Sequence, residues 1–364
     1  MDLGPTDEQQ AIIEALRDFS EKEIRPAARD CEESGQVSAG ISRQLREMGI
    51  TAPVGEEFGG QGVFDSLTSV MVAEEIAWGD PGVAFSVLSA GLPATVIDLI
   101  GTESQRKELL PQFVDGALGF LALAERDAGA DISEIDAEFK DGSVTGLKYG
   151  VIHADTAAVR LVVAKDGEHP AVFIVPSSAE LTAKPEDKMG LRAARTFKVN
   201  FDGVSGAERL GDGDGEATLK ALLRAKLVNA GIAVGLGRAA LEYASDYAKE
   251  RTAFGRPIGA FQGISFKIAD RAMDVETARL MLWRAAWALE NDKPEATKAV
   301  MQACSHAIVA AATSSDDGVQ ILGGHGYMRD HPEELWYRDA LTLATFDSPS
   351  MVGDLFLASY FKAG

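Results

Sequence analysis

Apolar residues recur every three or four positions from the start of the chain to about residue 117, and this spacing predicts helices. In "TDEQQAIIEALRDFSEKEIRPAARDCEES" Thr6 stands at an N-cap position with Gln9 in the capping-box place. "EEFGGQGV" breaks the pattern; Gly59, Gly60 and Gly62 follow no strand and form no GxGxxG, so a turn is expected. The helical period resumes from Asp65 and stops at Gly101. From about 118 to 218 the period shortens. "SVTGLKYGVIHADTAAVRLVVAKDG", "AVFIVPS" and "TFKVNFDGV" are β-branched runs bounded by Gly, Asp and Pro, and predict a small antiparallel β domain. A polar link, "GDGDGE" at 211–216, leads into long amphipathic stretches at roughly 218–250, 260–291, 293–320 and 333–363. Their short connections predict a four-helix bundle. The expected fold is mainly α with a central β domain: helical 1–117, β 118–218 and bundle 219–364.

Composition narrows the function. The 364 residues carry 56 acidic and 35 basic side chains, a net charge of -21, which disfavours nucleic acid and anionic membrane surfaces. A phosphate-bearing cofactor stays compatible, because a few arginines reverse the sign of the potential within a Debye length of about 10 Å. Cys31 and Cys304 form no CxxC pair, and the five histidines lack ligand spacing, so two reduced thiols and no metal are expected. The polar N-terminus resembles no signal peptide and no run of 18 apolar residues occurs, so a cytoplasmic chain without a membrane span is expected.

Two segments carry candidate chemistry. In "ERTAFGRPIGAFQGISFKIAD" Arg251 ends one helix, Phe254-Gly255 follows, and Gln262 starts the next. An arginine fork there would suit phosphate and Gln262 an adenine edge, although spacing alone favours a plain helix–helix turn. In "QILGGHGYMRDHPEELWYRDA" Gly323 and Gly324 suit either a C-cap or close approach to a diphosphate.

Taken together, RxxFGxxI…Q, QxLGGxGY and YRDA resemble the acyl-CoA dehydrogenase family. "TDEQQAIIEALRDF", "EEFGGQG", "LALAERDAGAD" and "DKMGLRAART" extend the resemblance over essentially the whole chain. It implies a helical–β–helical fold, usually a tetramer, with FAD bound across subunit interfaces. It implies α,β-dehydrogenation of an acyl-CoA thioester: a carboxylate removes the α-proton, the flavin accepts hydride, and an electron-transfer flavoprotein takes the electrons. It also implies that Arg251, Phe254, Gln262, Gln320, Gly323 and Gly324 contact the adenosine–pyrophosphate end of an FAD seated mostly in the neighbouring subunit.

The resemblance fails around the flavin ring. Ala124, Arg126 and Ala130 replace the usual Ser or Thr, Pro and Ser, and Gly150-Val151-Ile152 stands where the family has Trp-Ile-Thr. Leu223 and Lys226 occupy the Asp-x-x-Arg pair that handles the CoA chain, leaving Lys226 as a substrate-binding candidate, and Ala225 takes an alternative base position. In "TFDSPS" Asp347 sits in the catalytic base's place, with Ser348 for Gly and Pro349 for an FAD-binding Thr. Asp is one methylene shorter than Glu, and a misplacement of about 1 Å can lower a rate on the order of 100-fold. Three readings follow: a partner subunit of a heteromeric enzyme that supplies FAD contacts in trans, an active homotetramer with Asp347 as base, and a non-catalytic scaffold. The retained trans residues and lost cis residues favour the first.

Overall fold

The computed structural model describes residues 4–126, 135–213 and 215–346. The N-terminal helices are α1 (Asp7–Phe19), α2 (Arg25–Ser34), α3 (Ala39–Glu47), α4 (Ser66–Gly79), α5 (Pro81–Ile100) and α6 (Glu103–Val114), with a π-helical turn joining α1 to α2. Their starts follow local chemistry. Thr6 and Thr102 each form a capping box with a glutamine, Gln9 and Gln105, and Asp80 caps α5 ahead of Pro81. α5 is long and apolar enough to suit a membrane, but it is a core element packed against α4, α7 and β1.

The middle of the chain forms one sheet from β1 (Gly119–Ala122), β2 (Glu138–Lys140), β3 (Ser143–Ile152), β4 (Val159–Asp166), β5 (His169–Val175), β6 (Thr182–Pro185), β7 (Thr196–Ser205) and β8 (Glu208–Arg209). The strand order is β6-β7-β3-β2-β4-β5-β8, with β1 added to β4. The sheet departs from the purely antiparallel expectation: β1 and β2 both pair with β4 in parallel. β1 follows the helical region, and neither β1 nor β2 is next to β4 in sequence, so neither reaches it through a tight hairpin.

α7 (Gly215–Glu250), α8 (Gln262–Glu290), α9 (Ala296–Leu322), the short α10 (Gly324–Tyr327) and α11 (Glu333–Leu343) follow. The first three long helices fall where the period placed them. The expected continuation of the fourth to residue 363 lies outside the described residues. The bundle is not isolated from the N-terminal helices. At Gly235 a Cβ would come 2.2 Å from the Glu74 carbonyl oxygen, so glycine lets α7 lie directly on α4. Around this crossing Arg238 bonds Glu74 and Glu75 at 2.5 and 2.8 Å, Arg279 reaches Glu74, and Arg17 reaches Glu75. Both glutamates are buried, so these arginines are their counterions.

Candidate functional site

Six sequence-predicted residues converge on one end of the bundle. Ala244 and Ala248 of α7, Ile321 and Leu322 of α9, and Ile258, Ile264 and Ile268 form a small apolar cluster separate from the main core. This cluster draws together the end of α7 (Arg251), the turn holding Phe254, the start of α8 (Gln262) and the end of α9 (Gln320, Gly323, Gly324). All six residues are exposed, and the side chains of Arg251, Gln262 and Gln320 make no hydrogen bond among the described residues.

The turn between α7 and α8 is a two-residue hairpin. Its strands β9 (Thr252–Ala253) and β10 (Arg256–Pro257) pair antiparallel, leaving Phe254 and Gly255 at the tip with φ of +51° and +81°. Two positive φ values define the turn type that glycine tolerates and a bulky residue does not. Phe254 nevertheless holds that conformation with its side chain 95% exposed. Its ring meets only that of Phe261, edge-on at 6.2 Å, among the described residues. Gly323 ends α9 with φ +60° and ψ -129°, and neither it nor Gly324 has an atom within 4 Å of where a Cβ would stand. The backbone is therefore open to close approach. Beside it Tyr247 and His325 share a hydrogen bond of 2.6 Å, and His325 stacks on His331 at 5.3 Å.

A second group of residues surrounds an interior cavity between α5, the β1 and β3 ends, and α7. It is lined by Phe85, Ser89, Leu92, Leu121, Leu123, Ala124, Tyr149, Gly150, Ile152, Asn229 and Phe346. The positions that the sequence marked as altered, Ala124, Gly150 and Ile152, are walls of this one space. Its volume is about 40 Å³, room for a water or two. Phe346 accounts for the closure: its ring stacks on Phe85 at 6.1 Å, and its Cδ1 lies 2.8 Å from where a Gly150 Cβ would be. Gly150 sits at φ +64° where the β3–β7 register shifts, so the strand is kinked there. Its N–H already donates to Glu186 Oε2 at 3.1 Å. Among the described residues this space is narrow, and a polar backbone group at its edge, the Gly150 N–H, is already satisfied.

Next to the cavity Glu125 ties the segment after β1 to the residues just before β2. Glu125 accepts the backbone N–H groups of Asp136 and Ala137 at 2.6 and 3.0 Å and the Lys148 ammonium at 2.6 Å; Lys148 also donates to the Leu123 carbonyl. Lys148 is fully buried, and burial lowers its pKa to about 8. Burial pushes the Glu125 carboxyl up, but Lys148 and the two N–H donors outweigh it and leave the group below its ordinary value.

The remaining candidates fall elsewhere. Lys226 is buried in α7 with Leu223 and Ala225, outside the walls of the small cavity, to which the helix contributes Asn229 one turn later. Asp347, Ser348, Pro349 and Ala130 lie outside the described residues. Phe346, Phe85 and Asn229 were missed as site residues by sequence reasoning. An aromatic residue directly before the base position was the only signal, and its target, Gly150, lies 196 positions away.

Models of the acyl-CoA dehydrogenase N-terminal and C-terminal domains match residues 6–117 and 213–351. An acyl-CoA dehydrogenase from Bacillus subtilis is 34% identical over 378 residues, covering 99% of both chains. The chain belongs to the acyl-CoA dehydrogenase family. A short-chain-specific acyl-CoA dehydrogenase from Megasphaera elsdenii is 32% identical, with 97% of each chain covered. The solved butyryl-CoA dehydrogenase from the same organism superposes with a TM-score of 0.88 at 29% identity, covering 99% of this chain and 100% of the other. This acyl-CoA dehydrogenase homologue therefore has the family's helical–β–helical fold from end to end. Its departures from the family's residues at Ala124, Gly150 and Ile152 line one space.

Proposed function

We propose that this chain is the partner subunit of a heteromeric acyl-CoA dehydrogenase and contributes FAD contacts in trans to a related, pocket-complete subunit. The observation that carries the reading is a contrast within one chain. The interior cavity at Gly150 is filled by Phe346, while Arg251, Phe254, Gln262, Gln320, Gly323 and Gly324 stand exposed together at the end of the bundle.

The family's reaction is FAD-dependent α,β-dehydrogenation of an acyl-CoA to the enoyl-CoA, in which bound FAD serves as the hydride acceptor. This chain's part in it is positional. The Arg251 guanidinium offers a planar fork to pyrophosphate oxygens. Phe254 gives an apolar face, Gln262 and Gln320 give amide groups for adenosine edges, and Gly323 and Gly324 let the backbone come close. Fixing the nucleotide end of the cofactor holds its reactive ring in place in the other subunit, where binding energy remote from the chemistry serves orientation. The electron acceptor is an electron-transfer flavoprotein and the substrate an acyl-CoA.

Titration of the purified chain alone with FAD tests the reading. No quenching of flavin fluorescence at micromolar FAD, and no enoyl-CoA formation, is the expected result. Tight stoichiometric binding by the isolated chain would overturn it.

A further inference from the structure

On the face of α5 opposite the Gly150 cavity lies a much larger cleft of about 600 Å³. Its walls come from three parts of the fold: one face of α3, the α5 residues Ser86, Val87 and Ala90 with the end of α6, and the turn between β3 and β4 with the loop before β7. None of the six cofactor candidates lines it. The size is that of a pocket for a small organic molecule.

Its chemistry runs against the rest of the molecule. Arg43, Arg46 and Arg195 line the cleft and, among the described residues, no acidic side chain does, in a chain with a net charge of -21. Arg195 pairs with Asp155 at 2.8 Å, and Arg43 lies 3.9 Å from Glu47. The Arg46 side chain has neither an ion pair nor a hydrogen bond among the described residues; its guanidinium lies over Gly116, where a Cβ would stand 2.9 Å from Nη1. Deeper in, the surface turns apolar: Ala52, Val87, Ala90, Phe113, Leu118 and Ala193. Two polar groups sit against this floor. The Thr51 hydroxyl oxygen is buried without a partner among the described residues, and His153, at φ +51°, has Nε2 3.5 Å from the Ser86 hydroxyl.

We propose that this cleft binds a small organic anion with an apolar body, its carboxylate or phosphate at Arg46 and Arg195 and its chain on the Ala90–Phe113–Leu118 floor. Arginine forks match both head groups. The apolar floor requires a body that gains from leaving water. A ligand seated there would bridge the N-terminal helices and the sheet, on the helix whose other face carries Phe85.

Isothermal titration calorimetry on the full chain tests this with decanoate, decyl phosphate and, as the uncharged control, decanol. One or both anions should bind at least tenfold more tightly than decanol, and which of them does identifies the head group. The double variant Arg46→Ala/Arg195→Ala should lower that affinity at least tenfold, and Ser42→Trp, which fills the mouth from α3, should abolish it. These are partly exposed positions, so the fold should survive. Binding of neither anion, equal binding of decanol, or unchanged affinity in both variants would overturn the proposal.

Discussion

The Phe346 ring stacks on Phe85 at 6.1 Å and reaches to within 2.8 Å of the place a Gly150 Cβ would take. The glycine is thus what admits the phenylalanine. A side chain at 150 meets two penalties, a positive φ and the Phe346 ring. Gly150→Ala is expected to destabilise the chain by roughly 1–3 kcal/mol in urea denaturation. In the double variant with Phe346→Ala the steric part should disappear and the backbone part remain, so the two changes should be non-additive.

Phe254 holds a strained backbone, with its ring meeting Phe261 edge-on at 6.2 Å. Phe254→Gly should raise the stability of the isolated chain by about 0.5–1 kcal/mol, because glycine adopts φ of +51° freely. The same substitution should weaken FAD retention in a complex with a pocket-complete subunit. Thermal denaturation of the chain and flavin content of the complex, measured side by side, should move in opposite directions.

Arg238 bridges two buried carboxylates, bonding Glu74 at 2.5 Å and Glu75 at 2.8 Å. Arg238→Leu leaves Glu74 with Arg279 and Glu75 with Arg17 and should lower stability by about 1–3 kcal/mol, read as a loss in the urea midpoint at unchanged slope. Replacing the group with lysine keeps the charge but loses the fork, and a smaller loss is expected.

Asp80 and Asp339 give a pH signature. Both are fully buried: Asp80 accepts the Val83 N–H at 2.8 Å, and Asp339 accepts the Leu191 N–H at 2.5 Å. Burial raises Asp80 to about 6, and burial together with the nearby Asp80 charge raises Asp339 well above the ordinary carboxylate value. The native state therefore holds protons that the unfolded chain releases near pH 4. The stabilisation from this pair is complete below about pH 4 and is lost as pH rises, for Asp80 through about 6, at up to about 1.4 kcal/mol per pH unit for each proton. Asp339→Asn keeps the acceptor for Leu191 and removes one titrating group. Its stability relative to the parent should rise from pH 4 to pH 7; a constant difference would contradict the assignment.

Much of this was legible in the chain itself, because it depends on neighbours a few residues apart. Thr6 with Gln9 announced the first helix, Gly101 closed α5, and the three long bundle helices follow their apolar period. The family resemblance, not spacing alone, picked out the six residues that the packing of Ala248 with Ile321 and Ile264 brings to one end of the bundle. What was hidden depends on partners far apart in sequence. The parallel pairing of β1 and β2 with β4, the Phe346 ring over Gly150, and the Glu186 carboxylate on the Gly150 N–H are set by packing, and no local pattern encodes them. Lys226 could be placed on a helix, but which way that helix faced required the glycine-mediated contact of α7 with α4.

The most direct test of the central claim is the flavin content of this chain, purified alone and after co-expression with a motif-complete acyl-CoA dehydrogenase. The account predicts no flavin absorbance alone, about one FAD per pair in the complex, and loss of that FAD when this chain carries Arg251→Ala. One FAD per chain in the isolated protein, with enoyl-CoA formation abolished by Asp347→Ala, would contradict it.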